Sequence, residues 1–287
     1  MSVDYVRTER MYRAYMEFFE IAEKKRRWNI WDDIPWEKLN PALNDEADAV
    51  RVETYCGVEL YVPDYTAHGF NMSRSIFGQA WFAANWGYEE SKHALAFREY
   101  LVRSGLRTPE QYMDYEHQIL SKVWISPAQS MRQTSLYGAF QEIATYLIYH
   151  QQYQKALREG NEVLARIVQL TGRDEAAHCG FYRKLVAFEM ADDPQGTLED
   201  LAHIMHNFQM PGALLIPDYE KRVQIEGVGL TRQQFMAHAI LPTLRAFGTT
   251  RGELARVMRQ VKEREQQRTP KSWEPPPLAA PGLEAAE

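Results

Sequence analysis

The chain has 287 residues, 45% hydrophobic and 25% charged, which are ordinary globular proportions with ample length to bury a core. A formal net charge of −6 argues against nucleic acid as the main partner, and two cysteines, Cys56 and Cys179, exclude a disulfide framework and suit a reducing compartment. No run of about 20 apolar residues offers a transmembrane segment, and the charged N-terminus MSVDYVRTER lacks a signal-peptide core, so the expectation is a cytoplasmic protein.

Helical periodicity dominates the chain. Residues 4–27 read as an amphipathic helix ending in the basic run Lys24, Lys25, Arg26, Arg27, followed by the Trp/Pro-rich connector RWNIWDDIPWEKLNP. Long helical patterns then cover about 44–72, 74–104, 128–159 and 161–190. A shorter segment, TPEQYMDYEHQIL, starts at Thr108 and Pro109. Beyond Asp193, Pro194 and Gly196, shorter helices are predicted at about 197–207, 217–225, 231–246 and 251–265. Strand signals are nearly absent. Residues 1–265 therefore read as one all-α domain whose four long helices form a bundle core. Residues 266–287, rich in Pro and Ala, read as a disordered tail.

One helix stands out. GAFQEIATYLIYH, residues 138–150, is apolar around most of its circumference yet carries Glu142 in its middle. A buried carboxylate must find a partner or a proton. Two Glu-x-x-His pairs suggest the partner: Glu90 with His93, and Glu175 with His178. At this spacing both side chains share a helix face and can reach one metal. Two such pairs alone are unremarkable against chance, and the similar run Asp200, His203, His206 reads as a polar helix face. The wider order is more specific. Glu59 precedes Glu90 by 31 residues and Glu142 precedes Glu175 by 33, so two helical hairpins deliver the same set, Glu then Glu-x-x-His. Four carboxylates and two histidines are the donors of a di-iron bundle. Oxygen and imidazole donors suit iron or manganese. Glu53 competes with Glu59 as the first donor.

Several stretches carry a family likeness. ELYVPDY (59–65), WGYEESKH (86–93), FQEIAT (140–145), DEAAH (174–178), DPQGT (193–197) and QMPG (209–212) resemble, in order and spacing, segments of the soluble acyl-acyl-carrier-protein desaturases, over roughly residues 20–225. The resemblance implies a ferritin-like four-helix bundle with extra helices and a di-iron site. It implies Glu59, Glu90, His93, Glu142, Glu175 and His178 as ligands, with Glu90 and Glu175 bridging. It implies dioxygen as co-substrate, and Thr145 beside the dioxygen site, where its hydroxyl can relay protons. The alternative is a threonine bonded back to its own helix. Asp174 and Trp28 match a family pair thought to lead electrons to the metals, and Asp174 also reads as a partner of a ligand histidine. Trp86 reads as core.

The chain departs from the family at Ile143 and Ala177, where the family has arginines. It also departs where the acyl tunnel would be lined. His68, Asn71 and Met72 after Glu59, and Thr134 and Ser135 before Glu142, are the substrate-channel candidates. The family's partners are a ferredoxin and an acyl carrier protein, and its members are homodimers. Lys24, Lys25, Arg26 and Arg27 are the candidate docking patch for such acidic partners, or cations favoured by a helix C-terminus. The leading expectation is an O2-dependent acyl desaturase. The polar channel residues leave a hydroxylating di-iron oxygenase as the alternative, with a ferritin-like iron-handling protein behind it.

Overall fold

The computed structural model describes residues 4–213 and 215–268, without the side chains of 265–268, and these residues form helices joined by short connections, with no strand among them. Helix α1 (Tyr5–Ile21) starts at Asp4, whose carboxylate accepts from the Arg7 amide. It widens into a π turn over Ala22–Arg26. That turn leaves Lys24 and Lys25 in solvent and buries Arg26.

The long helix predicted over 44–72 is two helices, α2 (Glu46–Glu59) and α3 (Val62–Ser73). The reason is Pro63. A continuous helix would need the residue 63 amide to donate to the Glu59 carbonyl, and proline has no N–H. Helix α2 therefore ends on Glu59. Helix α4 (Phe77–Arg103) and helix α6 (Met131–Glu159) follow their predicted ranges closely, with α5 (Pro109–Leu120) between them behind a Thr108/Gln111 capping box. Gly160, at φ 73°, closes α6 in the left-handed conformation, and the Asn161 side chain immediately caps α7 (Glu162–Asp192). The tightness of this hairpin aligns α6 and α7 along their length.

Beyond the bundle lie α8 (Pro194–Asn207), the single turn α9 (Tyr219–Arg222), α10 (Arg232–Gln234) running through a π segment (Phe235–Ile240) into α11 (Leu241–Ala246), and α12 (Arg251–Arg268). The predicted helix 217–225 shrinks to α9, and residues 266–268 of the predicted tail complete α12; residues 269–287 lie outside the described residues. No helix among the described residues is long and apolar enough to cross a membrane.

Two apolar clusters fill the bundle. One contains Phe82 and Trp86 of α4, Leu136 and Phe140 of α6, and Phe181 and Leu185 of α7. The other contains Phe97 of α4, Ile148 and Tyr149 of α6, and Leu164 and Val168 of α7. On each helix the gap between the clusters is where the acidic and histidine residues fall. The polar centre is thus a layer sandwiched between two hydrophobic ones.

Candidate metal centre

The six predicted donors come together in that layer, each at most 3% exposed. Donor atoms of Glu59, Glu90, His93 and Glu175 lie within 4.8 Å of one another, and so do those of Glu90, Glu142, Glu175 and His178. Glu90 and Glu175 belong to both groups. Their oxygens divide the work. His93 Nδ1 lies 3.4 Å from Glu90 Oε2 and 3.3 Å from Glu175 Oε1, while His178 Nδ1 lies 3.0 Å from Glu90 Oε1 and 3.8 Å from Glu175 Oε2. Glu59 Oε1 completes the His93 group at 3.8 Å and Glu142 Oε2 the His178 group at 3.5 Å.

These atoms crowd without bonding to one another. Glu90 Oε1, both Glu175 oxygens, Glu142 Oε2 and both histidine Nδ1 atoms are buried with no hydrogen-bond partner among the described residues. Buried polar atoms are seldom left so, and a cation between them would satisfy all six. Donors about 2.1 Å from one ion sit within about 4 Å of each other, so each group fits one ion after small adjustment. Electrostatics agree. Burial, then the neighbouring Glu90 and Glu175, push Glu59 well above the usual carboxylate range, and burial and Glu175 do the same to Glu142. Burial also works against Glu90, but the facing histidines more than offset it and hold Glu90 low. Four carboxylates packed this closely need positive charge, from protons or from metal.

The outer partners fix each donor. His93 Nε2 faces Asp174 Oδ2 at 3.4 Å, and His178 Nε2 faces Glu89 Oε2 at 2.7 Å, so each ring turns its Nδ1 toward the cluster. Trp28 Nε1 donates to Asp174 Oδ2 at 2.7 Å, giving a continuous Trp28–Asp174–His93 chain. Arg26 joins the two outer carboxylates: Nη1 donates to Asp174 Oδ1 at 2.6 Å and Nη2 lies 3.1 Å from Glu89 Oε1. Burial opposes ionisation of Asp174, yet His93 and Arg26 hold it well below its usual range. Trp86 Nε1 donates to Glu142 Oε1 at 3.0 Å, and the Tyr149 hydroxyl donates to Glu59 Oε1.

Sequence reasoning missed four of these. Trp86 is core, as expected, but it also bonds a donor, and Glu89, Tyr149 and Arg26 have no role in the centre on sequence alone. The signals for three were present: Trp86 is one turn before Glu90, Tyr149 two turns after Glu142, and Glu89 sits inside the Glu-Glu motif. Arg26 is not available as a docking residue. It is 6% exposed, and Arg27 is half-buried against Glu89 and Asn85, so only Lys24 and Lys25 of the basic run face solvent. Glu53 is engaged by Arg107 and Arg222 and stands apart from the cluster. Asp200 pairs with Arg132 and Gln133. Thr145 is buried one turn from Glu142, and its hydroxyl donates back to the Gln141 carbonyl at 3.1 Å.

A narrow cavity of about 50 Å³ abuts the Glu142 side. Its walls include Trp86 and Gln141 next to Glu142, and Tyr65, His68, Gln79 and Thr134 further off. Of the five channel candidates, His68 and Thr134 line it. Asn71 points to solvent and Met72 does not reach it. Ser135 is rotated about 100° from Thr134 and gives its hydroxyl to the Met131 carbonyl.

Comparison with known proteins agrees with this architecture. DesA2 of Mycobacterium tuberculosis H37Rv, named as an acyl-ACP desaturase, superposes with a TM-score of 0.62 at 18% identity, covering 87% of this chain and 98% of that one. A variant of R2-like ligand-binding oxidase with a reconstituted Mn/Fe cofactor superposes at 0.53 and 16%, covering 90% and 92%. The fold is thus the ferritin-like bundle of these proteins. In sequence, the chain is 27% identical over 230 residues to DesA1 of M. tuberculosis, named for acyl-[acyl-carrier-protein] desaturation, and spans 70% of this chain and 65% of that one. It is 28% identical over 166 residues to acyl-[acyl-carrier-protein] desaturase 7 of Oryza sativa subsp. indica, or 55% of this chain and 41% of that one. The chain therefore spans less than two thirds of the length of either relative. The family model described as fatty acid desaturase matches residues 64–228, more than half of the chain. By that match this chain belongs to the fatty acid desaturase family.

Proposed function

We propose that the chain is a di-iron oxidoreductase that uses dioxygen to introduce a double bond into a carrier-bound acyl chain. The observation that carries this reading is the pair of four-donor groups sharing Glu90 and Glu175. Glu59, Glu90, His93 and Glu175 would hold one ion, and Glu90, Glu142, Glu175 and His178 the other. Bound there, two iron ions would supply the power to oxidise an unactivated C–H bond at the expense of dioxygen and two external electrons.

The chain's own residues do the rest. Asp174 and Glu89 hold the histidine rings in the tautomer that leaves Nδ1 free. Trp86 and Tyr149 each fix one oxygen of Glu142 and Glu59. The two apolar layers exclude water, and the cavity beside Glu142 holds the reacting carbons near the centre. Thr145 is the candidate to pass a proton, by turning its hydroxyl away from Gln141. Trp28, through Asp174 and His93, is the candidate entry for electrons, supplied by a ferredoxin. Lys24 and Lys25 are the candidate contact for an acidic carrier protein, and a homodimer is the proposed assembly.

The contact between His68 and Thr134 in the cavity wall favours one second reading, a di-iron oxygenase that hydroxylates its substrate. Iron-loaded protein given ferredoxin, its reductase and a panel of acyl carriers tests both. Loss of two hydrogens from the product supports desaturation, gain of one oxygen supports hydroxylation, and no oxygen-dependent product from any carrier contradicts both.

A further inference from the structure

Gln79 lies on the face of α4 that carries Phe82, Trp86 and Glu90, about 16 Å before Glu90 along the helix axis. It is 2% exposed, it lines the cavity, and neither its oxygen nor its nitrogen has a hydrogen-bond partner among the described residues. His68 and Thr134 line the same cavity, 3.3 Å apart. The Thr134 hydroxyl donates to the Ser130 carbonyl at 3.0 Å, so His68 Nε2 is the donor in that pair. Burial lowers the His68 pKa, which keeps the imidazole neutral near pH 7. Among the described residues, no Asp, Glu, Lys or Arg lines the cavity.

These facts restrict what the cavity accepts. A saturated alkyl chain alone would leave a buried carboxamide unanswered, which is costly. A charged group would enter without a counter-ion, which costs more. We propose that the cavity selects a chain bearing a neutral group that both donates and accepts hydrogen bonds, a hydroxyl or an amide, and that Gln79 is the residue that reads it. This rests on the cavity being the substrate site proposed above. A hydroxyl can donate to the Gln79 carbonyl while accepting from its amide, so one group meets both needs.

The test is binding, measured by calorimetry on metal-free protein with methyl dodecanoate and its positional hydroxy isomers. At least one isomer should bind about tenfold more tightly than the parent ester. Gln79→Leu should abolish that preference while leaving methyl dodecanoate bound as tightly or more so; Gln79→Met, also apolar and unbranched, repeats the test should the leucine variant fold poorly. Equal binding of all members, no binding of any, or a preference that survives both substitutions would overturn the inference. Because neither iron nor turnover is read, the two claims can fail separately. A chain that loads iron and desaturates plain acyl carriers without any hydroxyl preference refutes only this inference. One that prefers a hydroxyl but holds no iron refutes only the function.

Discussion

The two halves of the centre share a donor set and differ in what lies behind it. Each half has one histidine on Nδ1, one carboxylate of its own, and one oxygen from each of Glu90 and Glu175. Behind the His93 half stand Asp174, Trp28 and Tyr149, packed against the apolar layer that holds Phe97 and Ile148. Behind the His178 half stand Glu89, Trp86 and the cavity. Two helical hairpins thus repeat the donors, and a carboxylate backs each histidine; the halves differ in that Trp28 and Tyr149 close the His93 side, whereas the His178 side borders the cavity.

The comparison breaks most completely at the shared residues. Glu175→Ala should take iron content after anaerobic ferrous loading from about two per chain to near zero. Glu59→Ala leaves the His178 group whole and should retain about one. Elemental analysis of desalted protein distinguishes them, and equal retention in both variants would dissolve the idea of shared donors.

Next comes the residue that ties the halves together. Arg26→Gln leaves Asp174 and Glu89 buried beside each other without their common cation, and should cost about 3–5 kcal/mol in urea unfolding of the metal-free chain. Lys24→Gln, four residues from Glu20 on an exposed turn, should leave the unfolding midpoint essentially unchanged. Similar values for the two would place Arg26 among ordinary surface charges.

Removing one outer carboxylate should weaken only its own half. Asp174→Asn should lower iron affinity of the His93 half about 10–100-fold, and Glu89→Gln that of the His178 half by a similar factor. Stepwise iron titration followed by Mössbauer spectroscopy reads which half is lost, and an equal loss from both halves in either variant would contradict the assignment.

The smallest effect is on pH. In the metal-free chain Glu59 and Glu142 are raised by burial and then by nearby carboxylates, and those carboxylates raise His93 and His178 against the opposing effect of burial. A raised group stabilises the fold below its unfolded value, about 4.3 for Glu and 6.5 for His, and loses that contribution as pH rises. Glu90, Glu89 and Asp174 are held low, and their contribution is present above their unfolded values and lost in acid. Between about pH 5 and 8 the metal-free chain should therefore lose stability with rising pH, whereas iron takes the place of those protons. The melting-temperature gap between loaded and metal-free protein should widen by several degrees over this range; a constant gap would mean the cluster does not exchange protons for metal.

The six clustered side chains are those to which the spacing and the family resemblance together point, because helical periodicity carries position along and around a rod and the resemblance favours Glu59 over Glu53. What lay outside that logic was harder to read. Pro63 marks the end of α2 on Glu59, a break visible in the sequence but overridden by the continuous apolar pattern on either side. Arg26 was unreadable, since a π turn rather than a regular helix rotates it inward. The channel candidates divide by helix phase, which their spacing alone does not fix: Thr134 faces the cavity and its neighbour Ser135 does not. Gln79 had no signal, because a lone glutamine in an apolar helix start looks the same buried or exposed.

The central claim is that Glu90 and Glu175 hold two metal ions between them. Mössbauer spectroscopy of protein loaded anaerobically with iron-57 and then exposed to oxygen tests it most directly. The account predicts about two irons per chain, ending as an antiferromagnetically coupled ferric pair. Protein that binds no iron, or only a single uncoupled ion, would contradict it.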